Sequence, residues 1–172
     1  MKRYSLLGLP IPNVPSGYIL RTYRDGHQDA WASLYAAALP EQPDMRNLCG
    51  KTFLEIPLWR PDRGHFACAD DVPVSCAVAW EDVELWRGRT GQFHWVATHP
   101  SHLRRGLAPG AVLAALQCMP RKDHRDAALI TQDYRAAAIR LYLQFVFVPH
   151  LGAFPDMAAR WAKVAPAIRE GP

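Results

Sequence analysis

The segment from His94 to Gly110 constrains this chain more than any other. Alternating side chains in His94-Trp95-Val96-Ala97-Thr98 read as a strand that stops at Pro100. A basic turn with Arg104, Arg105 and Gly106 follows, and then a very apolar helix predicted to run to about Met119, with Pro120 as its stop. The first amides of a helix lack internal partners, and the aligned peptide dipoles leave roughly half a positive charge there. Gly106 lets backbone approach an anion with no side chain in the way, and the two arginines add charge beside it. Pro109 suits the first helical turn, where a missing N–H costs little. A diphosphate is the ligand such a strand–turn–helix accommodates best. Two commoner cradles fail on spacing. There is no G-x-x-x-x-G-K-[ST], and G-x-G-x-x-G is broken because only Gly106 and Gly110 are present.

The elements around this segment set the fold class. Tyr18–Tyr23 is predicted as a first strand, and Asp25 as the N-cap of a helix through Trp31, Leu34, Tyr35, Ala38 and Leu39. Pro40 and Pro43 end that helix. Residues 41–63, cut by Pro57 and Pro61, are expected to form a short helix and an irregular loop that walls an acceptor pocket. Strands are predicted over Gly64–Ala69, Pro73–Glu81 and Thr90–Thr98, with turns at Asp70-Asp71 and Arg87-Gly88-Arg89. Ala127–Thr131 reads as a strand, Tyr134–Gln144 as a helix, Val146–Val148 as a last strand, and Pro155–Ile168 as a helical tail. This order is α/β with a mixed sheet: an antiparallel meander feeding a βαβ unit whose crossover helix begins at the phosphate turn.

At 172 residues, with 49% hydrophobic and 21% charged side chains, the chain suits one globular domain over 1–172, with residues 1–16 and their three prolines as an extended arm. A net charge of +4 suits an anionic ligand. Cys49, Cys68, Cys76 and Cys118 show no metal-ligand spacing and read as free thiols in a reducing cytosol. The basic start is followed by an apolar stretch broken by Gly8, Pro10 and Pro12, unlike a signal peptide, and no apolar run is long enough to span a membrane. A cytoplasmic protein is the expectation. The run Arg121-Lys122-Asp123-His124-Arg125 lacks the interleaved aromatics of a nucleic-acid platform and reads as a solvated helix end.

Two motifs carry a resemblance. Leu103-Arg104-Arg105-Gly106-Leu107-Ala108 resembles the [RQ]-x-x-G-x-[GA] signature of the GNAT superfamily of N-acetyltransferases, with Leu103 in place of the usual Arg or Gln. Downstream, Ala138, Ile139, Leu141, Tyr142, Phe147 and Pro149 match in register the segment N-x-x-A-[IV]-x-[LF]-Y-x-x-x-G-F-x-P. Arg135 replaces its Asn there and Val146 its Gly. Both motifs occur in the family's order, and the likeness extends over most of the chain from Tyr18, leaning toward the mycothiol-synthase-like branch. The resemblance implies a GNAT fold, with a mostly antiparallel sheet of six to seven strands flanked by helices.

It also implies a reaction: transfer of an acetyl group from acetyl-CoA to a primary amine of a small molecule or peptide by direct attack, with no metal. Tyr142 is then the candidate general acid for the departing thiolate, because a phenol with a pKa of about 10 holds its proton where a thiol of about 8.5 needs one. His94, on the strand six residues before Pro100, is the candidate base, with His99 and Glu84 behind it. Val96, Ala97 and Thr98 correspond to the backbone that pairs with the pantetheine arm. Leu103, Arg104, Arg105, Gly106, Leu107 and Ala108 form the expected pyrophosphate turn; Arg135 is a candidate to meet a phosphate or the acceptor, with a solvated helix arginine as the alternative, and Thr131 and Arg140 lie close by. Core packing is the alternative for Tyr142 and His94. Trp59 and Trp86 are candidates for the acceptor wall. Leu103, Arg135 and Val146 keep a second reading open, a CoA-binding module of this shape with weak or lost turnover. Another acyl donor, or an alcohol or thiol acceptor, is the rival among enzymes. Neither nucleic acid nor membrane is expected as a partner, and a homodimer remains open.

Overall fold

The computed structural model describes residues 1–41, 59–82, 85–86 and 89–169. Its centre is a six-stranded sheet in the order β1-β6-β5-β4-β3-β2. The strands are β1 (Lys2–Arg3), β2 (Ile19–Thr22), β3 (Gly64–Ala69), β4 (Val72–Trp80), β5 (Thr90–Thr98) and β6 (Asp126–Leu129). Neighbours are antiparallel except β5 and β6, which run parallel. Among the described residues, four α-helices accompany the sheet: α1 (Gln28–Ala38), α2 (Leu107–Cys118), α3 (Ala136–Gln144) and α4 (Met157–Arg169). The crossover from β5 to β6 runs through α2, giving the expected βαβ unit. No described helix is long and apolar enough to cross a membrane.

Side-chain alternation in β4 divides the core between the two faces. Cys76 and Val78 pack with Trp31, Leu34, Tyr35 and Phe66 on the α1 side. Ala77 and Ala79 pack with Ala111, Val112, Ala115 and Leu116 of α2 on the other. The small residues of β4 let α2, which has no charged side chain, lie close on the sheet. The arm lies close to α2 in turn: a Cβ on Gly110 would stand 2.3 Å from the Asn13 carbonyl oxygen. Gly110 therefore makes room for the arm rather than for an anion. Gln117 Nε2 donates to the Pro10 carbonyl at 2.7 Å, and Leu6 is buried against the sheet.

Several sequence expectations are corrected. The first helix is capped by His27 without a side-chain bond, not by Asp25; Gln28 Oε1 accepts from Gly26 N and from the Tyr23 hydroxyl instead. Helix α2 ends at Cys118, close to the expected Met119, but Pro120 is not the residue that breaks it. The proline sits in the first turn of a 3-10 segment, Met119–Lys122, where its missing N–H is harmless. Val146–Val148 is not a strand. The free edge of β6 is taken by β1, with Lys2 opposite Ala128 and Arg3 opposite Ala127, leaving Val148 a single bridge to Lys2. Strand β6 stops at Leu129 instead of Thr131, for a reason that lies in β5. Trp59 is a core residue, stacked on Trp31 at 5.5 Å, rather than a pocket wall. Most of the expected acceptor loop, residues 42–58, lies outside the described residues, as do Cys49, Glu84, Arg87 and Gly88. Cys68, Cys76 and Cys118 are buried free thiols.

Candidate active site

The site begins with one residue too many in a strand. Cys76 pairs with Ala97 and Val78 with His94, so Trp95 and Val96 together face Ala77. Trp95 adopts φ 55°, the left-handed conformation, and forms a β-bulge. The bulge inverts the alternation of β5. Phe93 belongs to the α2 side, and strict alternation would put Trp95 there too, yet Trp95 packs on the α1 side and Val96 on the α2 side. The strand also bends away from β6: parallel pairing covers only Thr90–Phe93 against Asp126–Leu129. Beyond Phe93 the two strands diverge, and Ile130 and Thr131 leave the sheet for want of a partner.

The divergence opens a cleft of about 260 Å³ between Trp95, Val96 and Tyr35 on one side and Thr131, Arg135 and Tyr142 on the other. A second groove of about 440 Å³ continues past Thr98, between the turn before α2 and the exposed face of α3. Leu103, Arg104, Gly106, Leu107 and Ala108 line it on one side, and Arg140 and Leu141 on the other.

The turn has a defined shape. His99 enters a 3-10 segment, Pro100–His102, and its side chain accepts from Ser101 N. Arg104 (φ 59°) and Gly106 (φ 72°) are both left-handed, and Gly106 is the N-cap of α2. Two left-handed residues so close together turn successive amides toward one concave face, which suits an anion. The two arginines part company here. Arg104 lines the groove, whereas Arg105 Nη1 donates to the Tyr18 hydroxyl at 2.9 Å. That leaves the Tyr18 proton to donate to His102 Nδ1 at 3.0 Å. Leu103 is 54% exposed and offers the groove a methyl surface where the signature it resembles has Arg or Gln.

Tyr142, on α3, lines the cleft at the point where the strands part, while 93% of its surface is covered. Burial raises its pKa to about 12; Arg135 pulls the other way, and Cys76 adds slightly to the rise. The helix end that holds it is a Schellman closure, in which Phe147 N donates to the Tyr142 carbonyl and Val146 N to the Leu143 carbonyl. The Phe147 and Tyr142 rings meet at 6.2 Å across it.

His94 presents an exposed edge to the same cleft, while Trp95 at 5.4 Å and the surrounding strands crowd the rest of its ring. Water therefore reaches one edge only. This desolvation holds its pKa down to about 4, with Asp82 opposing it. The ring is neutral at physiological pH and only weakly basic. Arg135, the N-cap of α3, stands beside Tyr142 rather than in the phosphate groove, and Nη2 donates to Glu41 Oε1 at 3.2 Å.

Of the sequence candidates, His94, Val96, Arg135 and Tyr142 thus share one cleft, and Thr98, Leu103, Arg104, Gly106, Leu107 and Ala108 share the groove. Ala97 is buried between them, on the α1 face. Trp86 instead tilts against His150 beside α4. Sequence reasoning missed Tyr35 and Glu41. Tyr35 carried only the signal of an apolar helix position, and Glu41 none.

Residues 27–147 match the sequence model of the acetyltransferase (GNAT) family. Mycothiol acetyltransferase of Acidimicrobium ferrooxidans is 30% identical over 74% of this chain and 43% of its own length. The enzyme of the same name from Thermobispora bispora is 27% identical, over 83% and 50% respectively. The chain spans about half the length of these curated relatives. Among solved structures, aminoglycoside N-acetyltransferase AAC(6')-Iy in complex with CoA superposes with a TM-score of 0.62 at 21% identity, covering 79% of this chain and 92% of that one. A GCN5-related N-acetyltransferase from Sphaerobacter thermophilus gives 0.64 at 21% identity, over 83% and 45%. The match over 27–147 covers well over half of the chain, and the chain belongs to the acetyltransferase (GNAT) family.

Proposed function

We propose that this chain is an N-acetyltransferase that transfers an acetyl group from acetyl-CoA to a primary amine of a small molecule or peptide by direct attack. One observation carries the reading: the strand splay, the anion-suited turn and Tyr142 lie along one continuous side of the fold. The residues present fit the coenzyme. Gly106 at φ 72° and Arg104 at φ 59° shape an amide cradle for the diphosphate, and the edge of β5 beyond the bulge has no strand beside it among the described residues. Acetyl-CoA supplies an activated acyl carbonyl. AAC(6')-Iy has been captured with CoA and with a CoA-linked bisubstrate analogue, which supports a coenzyme in the corresponding space here.

The chain's own groups then divide the work. Backbone groups of Val96, Ala97 and Thr98 hold the pantetheine arm as a strand holds its neighbour, and an N–H on that edge steadies charge on the carbonyl oxygen. Tyr142 keeps its proton across the physiological range, so it is always loaded to donate to the departing sulfur. With its pKa pushed up to about 12, against about 8.5 for a thiol, it acts chiefly as a hydrogen-bond donor to that sulfur. His94 is neutral and can receive a proton from the attacking amine, passing it to water at the open edge of its ring. The reading places the protein in the cytoplasm, where Cys68, Cys76 and Cys118 stay reduced.

Tyr142→Phe tests it. Stabilisation of the wild type by CoA in a thermal-shift titration is expected, and the variant should keep CoA affinity within about twofold while losing about 100-fold in turnover. An unchanged rate removes Tyr142 from the mechanism. Absence of CoA stabilisation in the wild type refutes the coenzyme assignment.

A further inference from the structure

The inner cleft beside Tyr142 is built from aromatic and neutral groups around one cation. Tyr35, Leu39 and Trp95 form one wall, and Ile130, Thr131 and Gln132 the other. Among the described lining residues, Arg135 is the one formal charge and no carboxylate faces the space. Its guanidinium is only partly used. Nη2 donates to Glu41 at 3.2 Å and reaches the Tyr134 hydroxyl at 3.4 Å, and the plane stands 5.5 Å over the Tyr134 ring. Nε is buried without a hydrogen-bond partner. A guanidinium presents five N–H donors, and Glu41 engages it through Nη2 alone, which leaves donors at the head of the side chain for a ligand's oxygens.

Glu41 shows what kind of oxygen fits. Its carboxylate already sits on Arg135, but it is 47% exposed and lies outside the cleft lining. A pair that open to water is weak, so an incoming carboxylate displaces it at little cost. The Arg135 side chain is 21% exposed, and a ligand carboxylate held against it would be better shielded than Glu41 is. A polycationic amine meets the opposite situation: a fixed positive charge at the cleft, no described carboxylate lining it, and a chain of net charge +4.

We propose that Arg135 recognises the acceptor, and that the acceptor is an amine bearing a carboxylate and an apolar or aromatic portion, such as an amino acid or peptide, rather than a polycation. The proposal rests on the acetyltransferase reading and names the substrate class for the same cleft. Glu41 is the internal placeholder for the acceptor's carboxylate. The aromatic wall of Tyr35 and Trp95 receives the apolar portion, and the amine points toward His94 and the acyl carbonyl. Arg135 and Tyr142 line the same cleft, so an acceptor held on the guanidinium lies within the space that Tyr142 borders.

The test uses L-phenylalanine, L-phenylalaninamide and tobramycin as acceptors at saturating acetyl-CoA, with thiol release as the readout. The same acid–amide comparison is made by equilibrium binding of N-acetyl-L-phenylalanine and its carboxamide, with and without CoA. The acid should exceed its amide at least tenfold in kcat/KM or in affinity, and tobramycin should be the poorest acceptor. Arg135→Gln should bring the acid–amide ratio close to one while CoA affinity stays within twofold. Arg135→Lys should keep part of the ratio, and Glu41→Gln should raise kcat/KM or affinity for the acid severalfold. Equal treatment of acid and amide in both assays overturns the proposal, as does a preference that survives Arg135→Gln or a preference for tobramycin. If Arg135→Gln weakens CoA as much as it weakens the acid, the oxygen on Arg135 belongs to the coenzyme and the proposal also fails. Loss of CoA stabilisation in the wild type tells against the acetyltransferase reading separately, because the acid–amide binding comparison needs no coenzyme.

Discussion

Val146 occupies a position where its side chain works against the fold. It is the C′ residue of the Schellman closure of α3, with φ 60°, and it is β-branched. Left-handed backbone costs an ordinary L-residue roughly 1–2 kcal/mol, and a β-branched residue sits at or above the upper end of that range. Replacement by glycine removes this strain, at a cost of about 0.5–1 kcal/mol in chain entropy. The side chain is 65% exposed, so the apolar burial lost is about a third of a valine, roughly 0.5 kcal/mol. The balance predicts that Val146→Gly stabilises the protein by about 0.5–1 kcal/mol, equivalent to a rise of about 1–4 °C in Tm.

Urea denaturation followed by far-UV circular dichroism checks this, with Val146→Ala and Val146→Asn alongside. Alanine keeps the Cβ that makes left-handed backbone costly and loses the remaining apolar contact, so it should not stabilise. Asparagine tolerates the conformation and should fall between valine and glycine. If glycine lowers stability as far as alanine does, the backbone strain at Val146 is not what limits this turn. Turnover should be unchanged in Val146→Gly, because the bonds that hold the end of α3 beside Tyr142 run through the backbone of Phe147 and Val146.

Two further outcomes follow from other positions. Gly106→Ala has room for its methyl, the nearest atom being Pro15 Cγ at 4.0 Å, so its cost is the left-handed φ of 72° alone; stability should fall by about 1 kcal/mol and CoA affinity by about tenfold in a titration, and unchanged affinity would remove this turn from the diphosphate site. His65 is largely buried and desolvation lowers its pKa to about 4, from an unfolded value of about 6.5. The unfolded chain therefore takes up a proton between these values and the folded one does not, so stability is full above about pH 6.5 and declines as pH falls toward 4, by up to about 3 kcal/mol. His94 acts in the same direction with a smaller effect, being open to water on one edge. His65→Gln should flatten a plot of Tm against pH between 4 and 6.5; an undiminished slope would assign the acid loss to other groups.

Much of this fold was legible where the chain is punctuated. The bounds of β3 and β5 agree with the reading because Pro61-Asp62-Arg63, Asp70-Asp71 and Pro100 are breakers that act locally. Asp70 and Asp71 are left-handed in succession, as a two-residue hairpin turn requires. Strand β1 was illegible, since Lys2-Arg3 carries no apolar signal and pairs only because β6 offers a free edge. The bulge at Trp95 was illegible for a deeper reason. A register shift is a relation between two strands, and it leaves no trace in the composition of either. The resemblance gave Tyr142 and His94 roles in one reaction, but only the fold separates Arg104, which lines the groove, from Arg105, which is tied to Tyr18. Likewise the exchange of Asn for Arg at 135 could be seen in sequence, while its pairing with Glu41, 94 residues away, could not.

The left-handed residues show why the cleft is where it is. Among the described non-glycine residues with positive φ, Asp70 and Asp71 make a hairpin turn and Asp123 closes a 3-10 segment. Of the other three, Trp95 lines the cleft, Arg104 lines the groove, and Val146 closes the helix that carries Tyr142. Each sits where regular structure would have closed the candidate site. Without the bulge at Trp95, β5 would continue to pair with Ile130 and Thr131 and fill the space that Tyr142 lines. Without the reversal through Arg104 and Gly106, the amides before α2 would not turn toward one face. Without the turn at Val146, Phe147 would not fold back on Tyr142. Strain of this kind persists only where the surrounding packing over-determines it, and the buried α1 and α2 faces of the sheet supply that packing. The cost of opening the cleft is therefore met during folding, and a ligand that enters meets donors already in position, so little of its binding energy goes into ordering the site.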